Sequence, residues 1–253
     1  MSVLLEVKKL GKSFGGLRAV NDFSFKVQQG SITALIGPNG AGKTTAFNMV
    51  TGVIEPTDGS ILFAGTELRG MRVDRICCQG IARTFQNIRL FDHQSVLDNV
   101  TVGLHRRLRT GFVGALLKGP RTREEKQAKL ASAKYLDFVG LLHRANDEAS
   151  SLAYGERRRL EIARALASGP KLLLLDEPAA GMNPQETVEL VELIRKIRDT
   201  GVTVFLIEHD MKLVMEISDL IYVLNQGEEI ARGLPNFIKN DEHVIKAYLG
   251  VPE

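Results

Sequence analysis

Gly37, Gly40 and Gly42 fall close together and are followed at once by Lys43, Thr44 and Thr45, in the run GPNGAGKTT. Glycines at this spacing let a backbone wrap tightly with its N–H groups pointing inward, and a helix beginning there adds about half a positive charge at its N-terminus. The matching ligand is an anionic phosphate, cradled by Gly37, Pro38, Asn39, Gly40, Ala41 and Gly42. Lys43 would reach β- and γ-phosphates, the Thr44 hydroxyl would ligate Mg²⁺, and Thr45 would touch an α-phosphate, so ATP and magnesium are the implied ligands. A glycine-rich turn beside a helix-capping lysine is the bland alternative. The strand SITALI before the motif and the short helix AFNMV after it supply the context that the phosphate reading requires.

Two further groups have the chemistry such a loop needs. The apolar run LLLL at residues 172–175 ends abruptly in Asp176, Glu177 and Pro178, as a central strand buried on both faces would. Asp176 would hold Mg²⁺ through a water molecule, and Glu177 would orient or deprotonate an attacking water. An acidic helix cap is the alternative. A second apolar strand, residues 202–207, ends in Glu208, His209 and Asp210, which places His209 near the same edge and within reach of a γ-phosphate. Taken alone, His209 fits a structural role better, and Gln86 in RTFQN reads as a surface glutamine.

The elements that must position these residues change texture along the chain. Short β-rich stretches (LLEVKKL, FSFKV, SITALIG) come first, separated by glycine-containing turns. Residues 97–149 turn helical, with Ala131, Tyr135, Phe138, Val139 and Leu142 on one face. Strands and helices then alternate, and Asn183, Pro184 and Glu186 form a helix-start signature. This pattern predicts an α/β fold with a mostly parallel sheet and a ligand at the carboxyl ends of its strands. Composition adds exclusions: 253 residues, 44% hydrophobic, suffice for a large core. A net charge of +3 from 33 basic and 30 acidic residues is too balanced for a dedicated nucleic-acid binder. No apolar run approaches the ~20 residues of a membrane span, and MSVLLEVKKL lacks a long apolar signal region, so the expected location is cytoplasmic. Adjacent Cys77 and Cys78 match neither zinc-ligand spacing nor a loop-stapling pair.

Taken in order, GPNGAGKTT, RTFQN, LAYGERRRLEIARAL, LLLLDEP and LIEHD resemble the ATP-binding cassette family over essentially the whole chain. The resemblance implies a P-loop core with an N-terminal antiparallel β subdomain (residues 1–92 and 168–253 together) and an inserted helical subdomain (residues 93–167). It also implies that Phe14 is an adenine platform, Gln86 a magnesium and water contact, Glu177 the catalytic base and His209 a γ-phosphate switch. Two such chains would close head to tail over ATP, with the Gly155 N–H offered in trans to the partner's γ-phosphate. Two positions depart from the family pattern. Ala153 stands where a serine is usual, followed by Tyr154 in place of glycine, and Asn183 stands where an aspartate is common.

At finer grain, FGGLRAVNDFSF, RTFQNIRLF, GFVGALLKGPRTR and IKAYLG look like the ATP-binding subunit of a branched-chain amino acid importer. That likeness implies a homo- or heterodimer of cassettes, transmembrane permease subunits, and, indirectly, a solute-binding protein outside the membrane. Ile88, Leu90 and Phe91 either receive a permease helix in a groove beside Gln86 or pack internally. Arg106, Arg107, Arg109, Arg121 and Arg123 lie near the membrane surface or form a solvated basic face. A lipid-exporter ATPase and a soluble, non-transport cassette ATPase are the alternative readings.

Overall fold

The computed structural model describes residues 2–104 and 121–249, with side chains described outside 121–124 and 249. The five arginines named above and Gly250 therefore lie wholly or by their side chains outside the described part.

The centre is a six-stranded sheet in the order β10-β9-β3-β8-β7-β6, formed by β3 (Ile32–Ile36), β6 (Ile81–Arg83), β7 (Leu172–Asp176), β8 (Thr203–Ile207), β9 (Leu220–Asn225) and β10 (Glu228–Gly233). All neighbours pair in parallel except β9 with β10, which closes the edge as an antiparallel pair. Every residue of β3, β7 and β8 is buried, the property expected of strands covered on both faces. Their side chains alternate with period two. Leu173, Leu175, Val204 and Leu206 face one core, and Leu172, Leu174, Phe205 and Ile207 face the other.

The first core is closed by α3 (Val96–Gly103), α4 (Arg121–Phe138), α5 (Tyr154–Ala167), α6 (Pro184–Asp199) and α7 (Met211–Ile217), which contribute Val100, Leu136, Leu160, Ile194 and Val214. The second is closed by α1 (Lys43–Val50) and by a four-stranded antiparallel sheet, order β2-β1-β4-β5, of β1 (Val3–Phe14), β2 (Leu17–Gln28), β4 (Asp58–Phe63) and β5 (Thr66–Glu67). Phe25 touches Phe205 across the two sheets with ring centroids 5.2 Å apart, and Phe47 of α1 packs on Phe205 at 4.8 Å. The Tyr222 hydroxyl accepts from the Lys26 N–H at 3.0 Å and so ties β9 to β2.

Within the helical texture of residues 97–149 lie α3 and α4, followed by two short 3₁₀ turns. Ala131, Tyr135 and Phe138 pack on the core as expected and Val139 is buried, but α4 ends at Phe138. Gly140, at φ +74°, reverses the chain, so Leu142 sits in a separate 3₁₀ turn and is 44% exposed. The α6 start follows its sequence signature. The Asn183 side chain accepts from the Glu186 N–H at 3.0 Å, and the Glu186 carboxylate accepts from the Asn183 N–H at 2.9 Å.

Candidate functional site

β3 delivers the chain to the glycine-rich loop, and α1 begins at Lys43 with Gly42 as its cap, φ +100°. A side chain at Gly37 would place its Cβ 2.0 Å from the Leu224 carbonyl oxygen, and one at Gly42 would come within 2.5 Å of that of Ala19. Only glycine fits either position. Lys43 is buried, and its Nζ donates to the carbonyls of Gly37 (2.7 Å) and Pro38 (2.9 Å). Burial holds its pKa below the ordinary lysine value, while the nearby Glu177 and Asp176 carboxylates act in the opposite sense. Thr44 is exposed and Thr45 half-buried at the mouth of the loop.

Asp176 and Glu177 stand at the carboxyl end of β7, beside that loop. Asp176 is 3% exposed, and its Oδ2 accepts from Arg83 at 2.7 Å. Arg83 ends β6 and also donates to Asn48 (2.7 Å) and Thr51 (3.1 Å). Glu177 adopts a left-handed backbone, φ +46°, unusual for a residue with a side chain, and its N–H donates to the Ile207 carbonyl at 2.9 Å. Its Oε2 accepts from the Gln86 amide at 2.7 Å and lies 3.8 Å from the Nδ1 of His209. Gln86, Glu177 and His209 therefore meet around one carboxylate oxygen, although they are spread over more than 120 residues of sequence.

Two residues that the sequence reading gave no role hold this cluster. Glu208 is 1% exposed, accepts from the Ala179 N–H (2.7 Å) and the His209 N–H (3.1 Å), and so pins the chain after β7 to the chain after β8. Burial raises its pKa, and the backbone N–H groups of Ala179, His209 and Asp210 oppose the rise. Arg158 of α5 is fully buried; its guanidinium donates to the carbonyls of Phe85 (2.7 Å) and Gln86 (2.8 Å) and to Glu161 Oε2 (2.9 Å). The signal for it was legible in principle: Arg158 and Glu161, three residues apart, lie among the apolar inward positions Leu160, Ile162 and Ala163.

Other expected residues stand apart from the cluster. Phe14 ends β1 at a hairpin tip with its ring 46% exposed, and Lys12 Nζ lies 5.3 Å from the ring centroid. Gly155 lies in the first turn of α5 and is buried against Glu186, whose Oε1 would stand 2.6 Å from a Cβ there. Ala153 caps α5 without a side-chain acceptor, and its N–H donates to the Glu156 carboxylate at 3.0 Å. Tyr154 lies over Gly181 in the segment before α6. Leu90 packs against the helical core, whereas Phe91 is exposed.

The donor set suits the implied ligands. Lys43 and the N-terminus of α1 could serve a phosphate, although the Gly37 N–H donates to the Tyr248 hydroxyl and the Ala41 N–H to the Pro38 carbonyl, and a hydroxyl, a carboxylate and an amide oxygen are hard donors for Mg²⁺. Among the described residues no cluster of three or more His, Cys, Asp or Glu could cage a metal unaided. No helix among the described residues is long and apolar enough to cross a membrane.

The family described as ABC transporter matches residues 20–180, and one described as branched-chain amino acid ATP-binding cassette transporter matches residues 228–253. The high-affinity branched-chain amino acid transport ATP-binding protein LivG of Salmonella typhimurium is 51% identical over 249 residues, covering 98% of each chain. The lipopolysaccharide export system ATP-binding protein LptB of Escherichia coli is 35% identical over 246 residues, covering 97% of each. A crystal structure of an ATP-binding cassette of an ABC transporter in its ADP conformation superposes with a TM-score of 0.86 at 28% identity, covering 99% of this chain and all of that one. This chain belongs to the ATP-binding cassette transporter family, among the ATP-binding proteins of branched-chain amino acid transport.

Proposed function

We propose that this chain hydrolyses ATP as the cytoplasmic, peripheral subunit of an importer of leucine, isoleucine and valine. The convergence of Lys43, Asp176, Gln86, Glu177 and His209 at one edge of the parallel sheet carries the hydrolytic part of this reading. Likeness over 98% of the chain supports the transport part.

In this mechanism Phe14 stacks on adenine and the backbone of residues 37–42 surrounds the phosphates. Lys43 leaves the Gly37 and Pro38 carbonyls for the β- and γ-phosphates, and Thr45 contacts the α-phosphate. Thr44, Gln86 and, through water, Asp176 would hold Mg²⁺, which would neutralise charge developing on the phosphates. Gln86 occupies Glu177 Oε2, leaving Oε1 to accept the proton of the attacking water. His209 contacts the γ-phosphate. A second cassette, identical or homologous, supplies its own Gly155 N–H across the interface.

Residues 1–92 with 168–253 act as the nucleotide-binding core and residues 93–167 as a helical subdomain. A groove of about 400 Å³ between them is lined by Val53, Ile76, Phe85, Val102 and Arg164 and offers a permease helix a seat, although Ile88, Leu90 and Phe91, expected to receive such a helix, do not line it. The solute-binding protein acts on the permeases, outside direct reach of this chain. The exporter reading loses ground because the branched-chain relative is the more similar of the two by a wide margin.

The test is affinity purification of the Glu177→Gln chain with ATP present, alongside leucine uptake in cells lacking the gene. Recovery of a second cassette and two permeases, with uptake lost, supports the importer. Recovery of ribosomes or lipid-export components would overturn it and leave the ATPase chemistry in place.

A further inference from the structure

We infer that Tyr248 is a positioning residue for the nucleotide loop, reached from the far end of the sequence. Its hydroxyl accepts from the Gly37 N–H at 2.9 Å across a separation of 211 residues. The Gly37 carbonyl in turn accepts from Lys43 Nζ at 2.7 Å. The residue that opens the loop is therefore gripped on both sides, by the phosphate-binding lysine and by the helix α9 (Glu242–Leu249).

Three observations make this bond consequential. Gly37 is buried, the Leu224 carbonyl crowds it so closely that no side chain fits, and the one acceptor its N–H finds among the described residues is the Tyr248 hydroxyl on another element. A buried N–H left without an acceptor is destabilising, and here the destabilised unit would be the loop itself. Finally, among the described side chains of α9 only Val244 is buried, while Ile245 and Tyr248 remain 44% and 37% exposed. An element held by so few apolar contacts sits at the low-stability end of the fold, where one hydrogen bond shifts its order. Burial raises the Tyr248 pKa, so the hydroxyl stays protonated at neutral pH.

The consequence is reciprocal. If α9 steadies the loop in the form that takes nucleotide, nucleotide must steady α9 by the same free energy. The inference rests on the nucleotide-site reading above, and the experiment separates the two. ADP affinity, ATP turnover and unliganded melting temperature are measured for the unmodified chain and for Tyr248→Phe, which keeps the ring and removes the acceptor. Hydrogen exchange of residues 242–249 is followed with and without ADP. The variant should bind ADP about tenfold more weakly and raise KM for ATP similarly, with kcat within about twofold and the melting temperature lowered by only about 2–4 °C. ADP should slow exchange in α9 of the unmodified chain and not in the variant. Equal ADP affinity in the two proteins would overturn the inference, as would a parallel fall in kcat and melting temperature, which marks a merely structural role. So would α9 exchange that ADP leaves unchanged in the unmodified chain, a result that stands even where the variant fails to fold. Failure of the unmodified chain to bind ADP would instead remove the nucleotide site, and the inference with it.

Discussion

Replacing Arg158 by methionine keeps a long side chain inside the fold while removing its charge and donors. Glu161, 1% exposed, would lose its direct ion-pair partner, keeping the Phe85 N–H at 3.4 Å, the Arg89 N–H and the more distant Arg164 charge, and the Phe85 and Gln86 carbonyls would lose bonds of 2.7 and 2.8 Å. Breaking one side of a buried ion pair costs about 3–5 kcal/mol. For a chain of this size each kcal/mol lowers the melting temperature by ~2–4 °C, so the fall should be about 6–20 °C. Burial already raises the Glu161 pKa, and Arg158 is the largest influence opposing that rise. Without it the folded-state pKa climbs further. A carboxyl whose pKa is raised on folding contributes stability that is present below its unfolded pKa and lost as pH rises through the folded value. The deficit should therefore shrink in acid and be full at neutral and alkaline pH. Arg158→Met with Glu161→Met should recover much of the loss, because an apolar pair of similar volume is often neutral in place of a buried ion pair. Urea unfolding of the three proteins across pH gives the assay. A single-variant cost below about 1 kcal/mol, or a deficit that grows in acid, would refute the reasoning.

Gly42→Ala forces a side chain to φ +100° and toward the Ala19 carbonyl; nucleotide binding should be lost with about 1–3 kcal/mol of stability, read by ADP titration and melting. Ala153→Ser supplies the acceptor that the α5 cap lacks and should stabilise the fold by ~0.5–2 kcal/mol. The same change should tighten ATP-dependent dimerisation, measured by sedimentation; unchanged dimerisation would mean that another donor already compensates for the missing hydroxyl. Glu208→Gln turns an NH₂ toward the Ala179 or the His209 N–H, so turnover should fall at least about tenfold with ADP affinity kept.

What the sequence made legible follows from local physics. The glycine loop, the apolar run ending at Asp176 and Glu177, and the Asn183 cap each carry their signal within a few residues. The alternation of strands and helices implied a mostly parallel sheet, but the strand order β10-β9-β3-β8-β7-β6 comes only from the structure. The extent of α4 was misjudged because Val139 and Leu142 continue its apolar period past Gly140, whose positive φ ends the helix regardless. The supports of the site were harder to read. Arg83 meets Asp176 across 93 residues, Glu208 meets Ala179 across 29, and Tyr248 meets Gly37 across 211. Contacts of that range arise from the packing of strands and leave no spacing pattern. A charged residue at a buried position is their only trace, as with Glu208 directly after the apolar strand β8. Phe14 and Gly155 are a different case: their family roles need a nucleotide and a second chain, and one chain alone shows only that a ring is exposed and a glycine close-packed.

The central claim is that Glu177 is the base of an ATP-hydrolysing site, and one measurement addresses it directly: ATP affinity and steady-state ATP turnover of Glu177→Gln beside the unmodified chain. The account predicts unchanged ATP affinity and turnover lowered by about 10²–10⁴-fold, the range of a lost general base. Turnover equal to that of the unmodified chain would contradict it.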